Sequence, residues 1–401
     1  MKESFLPVIN SSPVGSAAKS QVYYNGLDSI RAICFFVVLV EHWFTIEVLA
    51  PFNFGIMALN FFFVISGFLI TEILVKNRYS VKLKTTTYGK ALKLFYIRRS
   101  LRIFPLYFAV IGVLLYFNIG VIRPKAIYYL TYTTNFWSFN NQEWVSFGHL
   151  WSLCVEEQFY LVWPFIILFT PKRFLIYVIS AFFFIGPLFR EITYYTTHNA
   201  FTFQFPLSAF DGFALGALVA WFYQFKRENG YAPFKESVFN KIGWVSLIVY
   251  LCCVAHKYAF NKDMPVLGWL YISSIFGIAC ALVKKCADGF TGWIKIIIDN
   301  KVLLFVGKIT YSLYVFHMII NVAIPDAIQF YGWGKLPFEG SNKLIYVFIL
   351  FAMSISSWFL FEKQVLKLKQ FFEYRFAGSP TFKNLPIDVP KTIPQPLDLK
   401  V

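Results

Sequence analysis

The feature that most restricts this chain is a series of long apolar runs. A helix needs about 20 mostly apolar residues to cross a bilayer, and about ten runs approach that length. The sequence therefore predicts an all-α, polytopic transmembrane bundle of about ten spans. Their approximate positions are 28–47, 56–75, 101–118, 150–169, 174–189, 203–224, 242–256, 264–283, 302–321 and 343–362.

Composition supports the membrane assignment. The chain is 58% hydrophobic and 14% charged, whereas an ordinary globular domain is about 45–50% apolar and about 25% charged. An ordinary soluble enzyme is therefore excluded. The formal net charge of +16 does not indicate nucleic-acid binding, because the basic residues lie between apolar runs, where they orient membrane proteins.

Basic residues fall mainly in alternate connections between the runs. Segments 76–102, 170–173, 225–241 and 284–301 together hold nineteen Lys and Arg residues, against six on the opposite side. The positive-inside rule places the richer side in the cytoplasm. We therefore expect both termini to be cytoplasmic. The predicted organisation is a cytoplasmic N-terminal tail (1–24), a transmembrane domain (25–362) and a cytoplasmic C-terminal tail (363–401).

Arg31 and His42 lie in the first run, and charged groups inside spans are functional candidates because they are costly there. Their spacing rotates a helix by roughly 1100°, about 20° past three turns, and corresponds to a rise of about 16 Å. Both side chains therefore point the same way, and Asp28 can pair with Arg31. An imidazole suits proton transfer near neutral pH. The structural alternatives are a snorkelling anchor at Arg31 and a packed interfacial histidine at His42.

Three arginines, Arg98, Arg99 and Arg102, lie where the third run begins. Arg99 and Arg102 are neighbours on a helix because they are three residues apart. Such a cluster suits phosphate binding. The alternative is ordinary positive-inside charge or contact with anionic lipids, and charge alone favours that alternative.

Polar residues also interrupt other runs. Ser66 and Gly67 allow close approach of another helix. Glu156 and Glu157 are adjacent carboxylates within an apolar run, so at least one should face a cavity or a partner. Acid–base chemistry and an interhelical hydrogen bond are equally compatible with them. Asp211 is a further acid within a span, and we expect it to cap or pair.

Tyr311, Tyr314 and His317 follow a three-residue spacing and predict a slanted polar stripe on one helix. Its alternative is aromatic packing with a hydrogen-bonded histidine. His42, His317 and Glu156 include ligand types that zinc uses, but no dense ligand spacing is present, so no metal is predicted. No role is predicted for His149.

The order of these segments resembles the acyltransferase family 3 membrane proteins, from about residue 24 to about residue 362. Each segment is weakly specific, but their joint order is highly specific. The matching segments are Arg31-x10-His42, Phe62 to Ile70, Arg99-x-x-Arg102 within Arg98 to Tyr107, Trp151-Ser152-Leu153 with Glu156 and Tyr160, Phe210-Asp211 with Gly216, and Gly307-Lys308-Ile309 through Tyr311 and Tyr314 to His317.

The resemblance implies an integral enzyme of the bacterial inner (plasma) membrane. Such enzymes transfer an acyl group, most often acetyl, from cytoplasmic acyl-CoA to a hydroxyl of an envelope polysaccharide or glycoside. It also implies that Arg31 and His42 form an essential pair and that Arg99 and Arg102 face the donor. Many members carry a further extracytoplasmic domain. We expect only a short tail here, so either the membrane domain completes the transfer or a partner protein does.

The resulting hypothesis is that the arginines hold the phosphates of acetyl-CoA and that its thioester arrives near His42. His42 then acts as general base or as a covalent acyl relay. Glu156 and His317 are candidates to orient His42, to stabilise its charge or to bind the sugar. The residues expected to line the substrate path are Ser66, Trp151, Tyr160, Tyr311 and Tyr314.

Two other classes of function remain as alternatives. Ten spans with acids and histidines also suit a proton-coupled secondary transporter or flippase. A receptor-like module that binds without chemistry is the third class. Use of an acyl-CoA donor, with formation of an acylated product, separates the enzyme from both.

Overall fold

The computed structural model describes residues 24–44, 52–260, 265–330 and 339–372. Within those ranges the secondary structure is helical, with no β-strand. A π-helical turn at Trp358–Glu362 follows α13. The helices are α1 (Asn25–Trp43), α2 (Phe54–Lys82), α3 (Tyr88–Phe117), α4 (Ala126–Leu130), α5 (Thr134–Asn141), α6 (Trp151–Phe169), α7 (Leu175–Thr197), α8 (Phe210–Asn229), α9 (Ser237–Phe260), α10 (Pro265–Asp288), α11 (Gly292–Ile298), α12 (Lys301–Phe330), α13 (Glu339–Ser357) and α14 (Lys363–Lys367).

The predicted all-α transmembrane bundle is confirmed. Nine helices of the described chain are long and apolar enough to span a bilayer. The one predicted run that is not among these nine is the first, 28–47, which corresponds to α1; this helix has 19 residues but carries Asp28, Arg31 and Glu41. These charged residues lower the hydropathy of α1 and place polar side chains within the bundle. Most of the predicted tails, at 1–23 and 373–401, lies outside the described residues.

The predicted boundary at residue 362 falls inside a continuous helical segment. The π-helical turn leads into α14 and then into a 3-10 turn at Leu368–Phe371. Lys369 within that turn lines a cavity of the bundle. The segment directly after 362 therefore contributes to the fold rather than only extending from it.

Helix α2 lies at the centre of the bundle and packs against α1, α6, α8 and α10. Its closest partner is α8, and two glycines allow that approach. A Cβ at Gly67 would overlap the carbonyl oxygen of Phe213, and one at Gly216 would overlap that of Val64. The small residues therefore bring the two backbones together, as expected for helix pairs in membranes.

Helix α1 packs against α2 on one side and α12 on the other. The turn that begins α1 is buried, with Leu27 2% and Ser29 0% exposed. Helix α1, which carries Arg31 and His42, is therefore packed inside the bundle, and α12, which carries His317, lies beside it. The predicted site residues His42 of α1 and His317 of α12 thus share one interface.

Candidate active site

Three cavities follow one another through the bundle. We call them the basic cavity (about 440 Å³), the central cavity (about 100 Å³) and the histidine cavity (about 640 Å³). Arg31, Arg99 and Arg102 line both the basic and the central cavity. Leu59 and Tyr314 line both the central and the histidine cavity. The shared residues therefore order the cavities into one series.

The basic cavity is strongly cationic. Its charged lining residues are Asp28, Arg31, Arg98, Arg99, Arg102, Lys308 and Lys369. The expected pairing within α1 is confirmed, because Arg31 Nη1 lies 3.3 Å from Asp28 Oδ1. One carboxylate against four arginines and Lys308 leaves a surplus of positive charge. The cavity can therefore accept a multiply charged anion such as a phosphate ester.

The three predicted arginines occupy different positions. Arg98 donates from Nη1 to the carbonyl oxygens of Lys369 (3.1 Å) and Phe372 (2.9 Å), which ties α3 to the segment after α14. Arg99 lies deeper, with its guanidinium carbon 4.0 Å from the ring centroid of Tyr160. Its Nε has no hydrogen-bond partner. Arg98 therefore has a structural contact of its own, whereas Arg99 and Arg102 reach the central cavity.

A hydrogen-bonded group of Ser66, Glu156 and Tyr160 forms part of the central cavity wall. Ser66 Oγ lies 3.2 Å from Glu156 Oε1, and Tyr160 Oη lies 2.8 Å from Glu156 Oε2. Glu157 lines the same cavity. Cations from α1 and α3 thus face carboxylates from α6 across a small space. The carboxylates balance the charge of arginines that are otherwise costly at this depth.

Tyr311 and Tyr314 also line the central cavity. Tyr311 donates to the carbonyl oxygen of Ile103 at 2.7 Å. Tyr314 donates to the carbonyl oxygen of His149 at 2.7 Å, and its hydroxyl lies 2.7 Å from Ser152 Oγ. The structure thereby fixes Tyr314 at the boundary with the histidine cavity.

His42 and His317 meet at the α1–α12 interface. His42 Nδ1 lies 2.9 Å from His317 Nε2. The two ring planes are almost parallel, at 6°, and the ring centroids are 5.2 Å apart. The centroids are therefore much farther apart than the two bonded nitrogens, which means that the rings lie side by side in nearly one plane and are not stacked face to face. This is an edge-to-edge hydrogen bond, because directional hydrogen bonds lie near the plane of the ring nitrogens. His317 is fully buried, and His42 is exposed at the histidine cavity.

The partners of the two rings fix their tautomers when both are neutral. His317 Nδ1 lies 2.6 Å from the carbonyl oxygen of Tyr314, and a carbonyl only accepts, so Nδ1 carries the proton. His317 Nε2 then accepts from the Nδ1–H of His42. The remaining nitrogen of His42, Nε2, is left with a lone pair. A ring nitrogen in that state can take a proton or attack a carbonyl carbon.

His149 was missed by the sequence reasoning. Its ring centroid is 4.8 Å from that of His317, and it lines the histidine cavity. Its Nε2 lies 3.3 Å from the carbonyl oxygen of Val315. A signal for it exists, since His149, Ser152 and Glu156 are spaced by three and four residues and share one face of a helix. His149 was set aside because it lies at the edge of a predicted span, and its spacing from Ser152 and Glu156 was not considered.

Other predicted residues lie around the same cavity. Trp151 lines it and makes edge contacts with Phe63 (6.2 Å) and Phe203 (5.2 Å). The expected pairing of Asp211 is confirmed by Arg190, whose Nη2 lies 2.7 Å from Asp211 Oδ2. Arg190 itself lines the histidine cavity.

The structure gathers the predicted site residues in two groups rather than one. His42 and His317 lie at the histidine cavity, whereas Glu156 lies at the central cavity with Ser66 and Tyr160. In the described part of the chain, no cluster of three or more His, Cys, Asp or Glu side chains is arranged to hold a metal ion.

Known proteins with similar sequences indicate the family to which this chain belongs. The family model described as Acyltransferase domain matches residues 24–363. The Staphylococcus aureus (strain MRSA252) protein SAR0937 is 28% identical, over 94% of this chain and 63% of its own length. Peptidoglycan O-acetyltransferase OatA of Listeria monocytogenes is 27% identical, over 76% of this chain and 51% of its own length.

O-acetyltransferase OatA of Staphylococcus aureus (strain NCTC 8325) is 26% identical, over 90% of this chain and 58% of its own length. The chain thus spans between 51% and 63% of the length of these relatives. No solved structure matches it. Because the match covers nearly all of its residues, this integral membrane protein belongs to the acyltransferase family that the domain model describes.

Proposed function

We propose that this protein is a membrane O-acyltransferase, which moves an acyl group, most simply acetyl, from acyl-CoA to a hydroxyl of a cell-envelope glycan. Family membership and relatives named as O-acetyltransferases support this proposal. The observation that carries it is the hydrogen bond between His42 and His317. This hydrogen bond leaves the lone pair of His42 Nε2 available at the histidine cavity, and the basic cavity lies at the other end of the cavity series.

The basic cavity is the proposed donor site. The phosphates of acyl-CoA match the surplus positive charge of its lining, which Lys308 extends beyond the predicted arginines. Arg31, Arg99 and Arg102 are the cations of this cavity best placed to contact the inner part of the donor, because they also line the central cavity. The positive-inside prediction puts this end of the series in the cytoplasm, where acyl-CoA is made.

The pantetheine arm of the donor would pass Arg31 and the central cavity to reach His42. Arg31 and His42 are separated along α1 by a rise of about 16 Å, which such an arm can span. Tyr314 and Leu59 stand at the passage between the central and histidine cavities. The acyl carbonyl would then face the free nitrogen of His42, while the nucleotide stays in the basic cavity.

In the chemical step, His42 Nε2 takes the proton of the acceptor hydroxyl. The hydroxyl oxygen forms a bond to the thioester carbon, the carbon–sulfur bond breaks, and the thiolate of CoA takes the proton from His42. In the relay version, His42 Nε2 bonds to the thioester carbon and the carbon–sulfur bond breaks, which releases CoA as its thiolate and leaves an acyl-imidazolium. The acceptor oxygen then bonds to the acyl carbon, the carbon–nitrogen bond to Nε2 breaks, and the hydroxyl proton passes to the CoA thiolate. Both versions require the Nδ1–H of His42 to be held by His317, which leaves Nε2 available.

The acceptor would occupy the histidine cavity, on the side opposite the donor. One relative is named as acting on peptidoglycan, and an envelope glycan is the acceptor class we propose here. The bacterial plasma membrane is the corresponding location. A partner protein that completes the transfer remains part of the proposal.

Mass spectrometry of envelope glycans tests the proposal. Glycans would be compared from cells with the wild-type protein, with His42→Ala at equal expression, and without the protein. We expect a mass increment of one acyl group in the wild type alone. No increment in the wild type, or an equal increment with His42→Ala, would contradict the proposed function or the role of His42, respectively.

A further inference from the structure

An ordered but exposed tryptophan stands at the histidine cavity. Trp144 lines the cavity and is 55% exposed. Its ring centroid lies 5.2 Å from that of Phe201 and 6.0 Å from that of Phe203. It also lies so close to Gly148 that a Cβ there would contact the indole. The indole is therefore held in place by its neighbours while part of its surface stays open.

The aromatic contacts continue from Trp144 into the bundle. Phe203 packs against Trp151, and Trp151 packs against Phe63, all with edge-on or tilted geometry. All four side chains line the histidine cavity. The exposed indole is thus the outer end of an aromatic wall rather than an isolated apolar side chain in contact with lipid.

Two residues that line the same cavity each carry a buried polar atom without a partner. His149 Nδ1 and Arg190 Nε are both buried and have no hydrogen-bond partner in the structure. His149 donates its Nε2–H to the carbonyl oxygen of Val315, so its Nδ1 can only accept. Arg190 Nε–H can only donate. An unsatisfied buried polar group costs about 1–3 kcal/mol, and such groups in native structures call for an explanation.

Both features fit one class of ligand. A pyranose ring presents an apolar face of C–H groups and carries hydroxyls that donate and accept hydrogen bonds. The open indole suits the apolar face, whereas His149 Nδ1 and Arg190 Nε suit the hydroxyls. A lipid chain would use the aromatic wall but would leave both polar atoms unsatisfied.

We propose that Trp144 is the stacking platform for a sugar ring of the acceptor, and that His149 and Arg190 bind hydroxyls of the same glycan. This inference rests on the proposed function and specifies its acceptor subsite. Trp144 and His149 are five residues apart on one connection and share Gly148 as a neighbour. Together they place a bound sugar beside His42, which lines the same cavity.

The test compares Trp144→Ala, Trp144→Phe and His149→Phe with a matched control. Trp244→Ala is that control, because Trp244 on α9 is 68% exposed and is not among the residues that line the three cavities. Each variant is expressed at equal level in cells that supply their own acceptor. The acylated fraction of the envelope glycan is measured by mass spectrometry. The affinity of each purified variant for radiolabelled acetyl-CoA is measured in parallel.

We expect Trp144→Ala to lower the acylated fraction about tenfold or more, as truncation of an aromatic anchor that a bound partner covers does. His149→Phe should lower it as well, whereas Trp144→Phe should retain part of it. Acetyl-CoA affinity should be unchanged in all three, and Trp244→Ala should match the wild type in both measurements.

Three outcomes would overturn the inference. Wild-type acylation by Trp144→Ala would mean that the indole does not hold the acceptor. Loss of acetyl-CoA affinity together with acylation would mean that Trp144 supports the fold instead. Equal losses in Trp144→Ala and Trp244→Ala would identify an ordinary membrane-interface tryptophan. Absence of any acylated glycan in the wild type would refute the proposed function itself.

Discussion

His42 Nδ1 and His317 Nε2 lie 2.9 Å apart, in a hydrogen bond that joins α1 to α12. His317 is in turn held by the carbonyl oxygen of Tyr314 at 2.6 Å. This chain of contacts leaves Nε2 of His42 as the free nitrogen at the histidine cavity. We therefore propose that His317 orients His42 and holds its tautomer, by analogy with the orienting member of a catalytic triad.

Substitution of His317 tests that positioning role. His317→Leu removes the acceptor for His42 Nδ1–H, and we expect kcat to fall about 10²–10⁴-fold, as loss of an orienting group does in triads. His317→Gln retains an oxygen that can accept from His42, so it should keep measurably more activity. Acetyl-CoA affinity should be unchanged in both. Equal kcat losses in the two variants would show that His317 does not act through its acceptor atom.

Arg102 provides a test of the donor site. Arg102→Gln should raise the Kd for acetyl-CoA about 10- to 100-fold, because a charge-assisted hydrogen bond contributes about 1.5–3 kcal/mol. Arg173→Gln is the control, since Arg173 contacts Phe174 and is not among the residues that line the basic cavity. Unchanged affinity in Arg102→Gln would place the donor elsewhere.

The close α2–α8 crossing predicts that Gly→Ala substitutions change the stability of the protein in opposite directions inside and outside the crossing. Gly67→Ala and Gly216→Ala should each destabilise the protein by about 1–3 kcal/mol, because the new methyl group overlaps the backbone of the partner helix. Gly112→Ala in α3 meets no atom within 4 Å. It should be neutral or stabilising, since alanine is the better helix former. Thermal denaturation in detergent distinguishes the two signs, and equal effects at all three positions would refute the close crossing.

The Arg190–Asp211 pair predicts a stability effect that a double variant reverses. Asp211→Leu leaves a buried guanidinium unpaired and should cost about 3–5 kcal/mol. Arg190→Met with Asp211→Leu removes both charges and should recover most of that loss. Chemical denaturation of the single and double variants measures this coupling. Additive losses would mean that the two side chains do not depend on each other.

The sequence was sufficient for the fold class because apolar length depends only on local composition. Arg31 and His42 could be assigned to one helix face because helical rotation is fixed by the backbone. The contact of His42 with His317 could not be predicted, since it depends on how α1 packs against α12. The contacts of His149 with Val315 and His317 could not be predicted for the same reason, because these partners are distant in sequence.

The arginine cluster illustrates a different limit. Spacing made Arg99 and Arg102 neighbours, and the hypothesis drawn from the sequence joined Arg98 to them in one phosphate site, but the surroundings of the three differ in the folded chain. Arg98 donates to backbone carbonyls of the segment after α14, whereas Arg99 packs over Tyr160. Helical spacing gives the direction of a side chain, and only tertiary packing decides which groups it meets.

The central claim is that His42 carries the acyl-transfer step and does not hold the donor. The most direct measurement compares the wild type with His42→Ala in lipid nanodiscs, with membrane extract from cells that lack the protein added to supply a partner protein. Each is given radiolabelled acetyl-CoA and envelope glycan from cells that lack the protein. We predict equal acetyl-CoA affinity in both proteins and label transfer to the glycan by the wild type alone. Label transfer by His42→Ala at the wild-type rate would contradict the account.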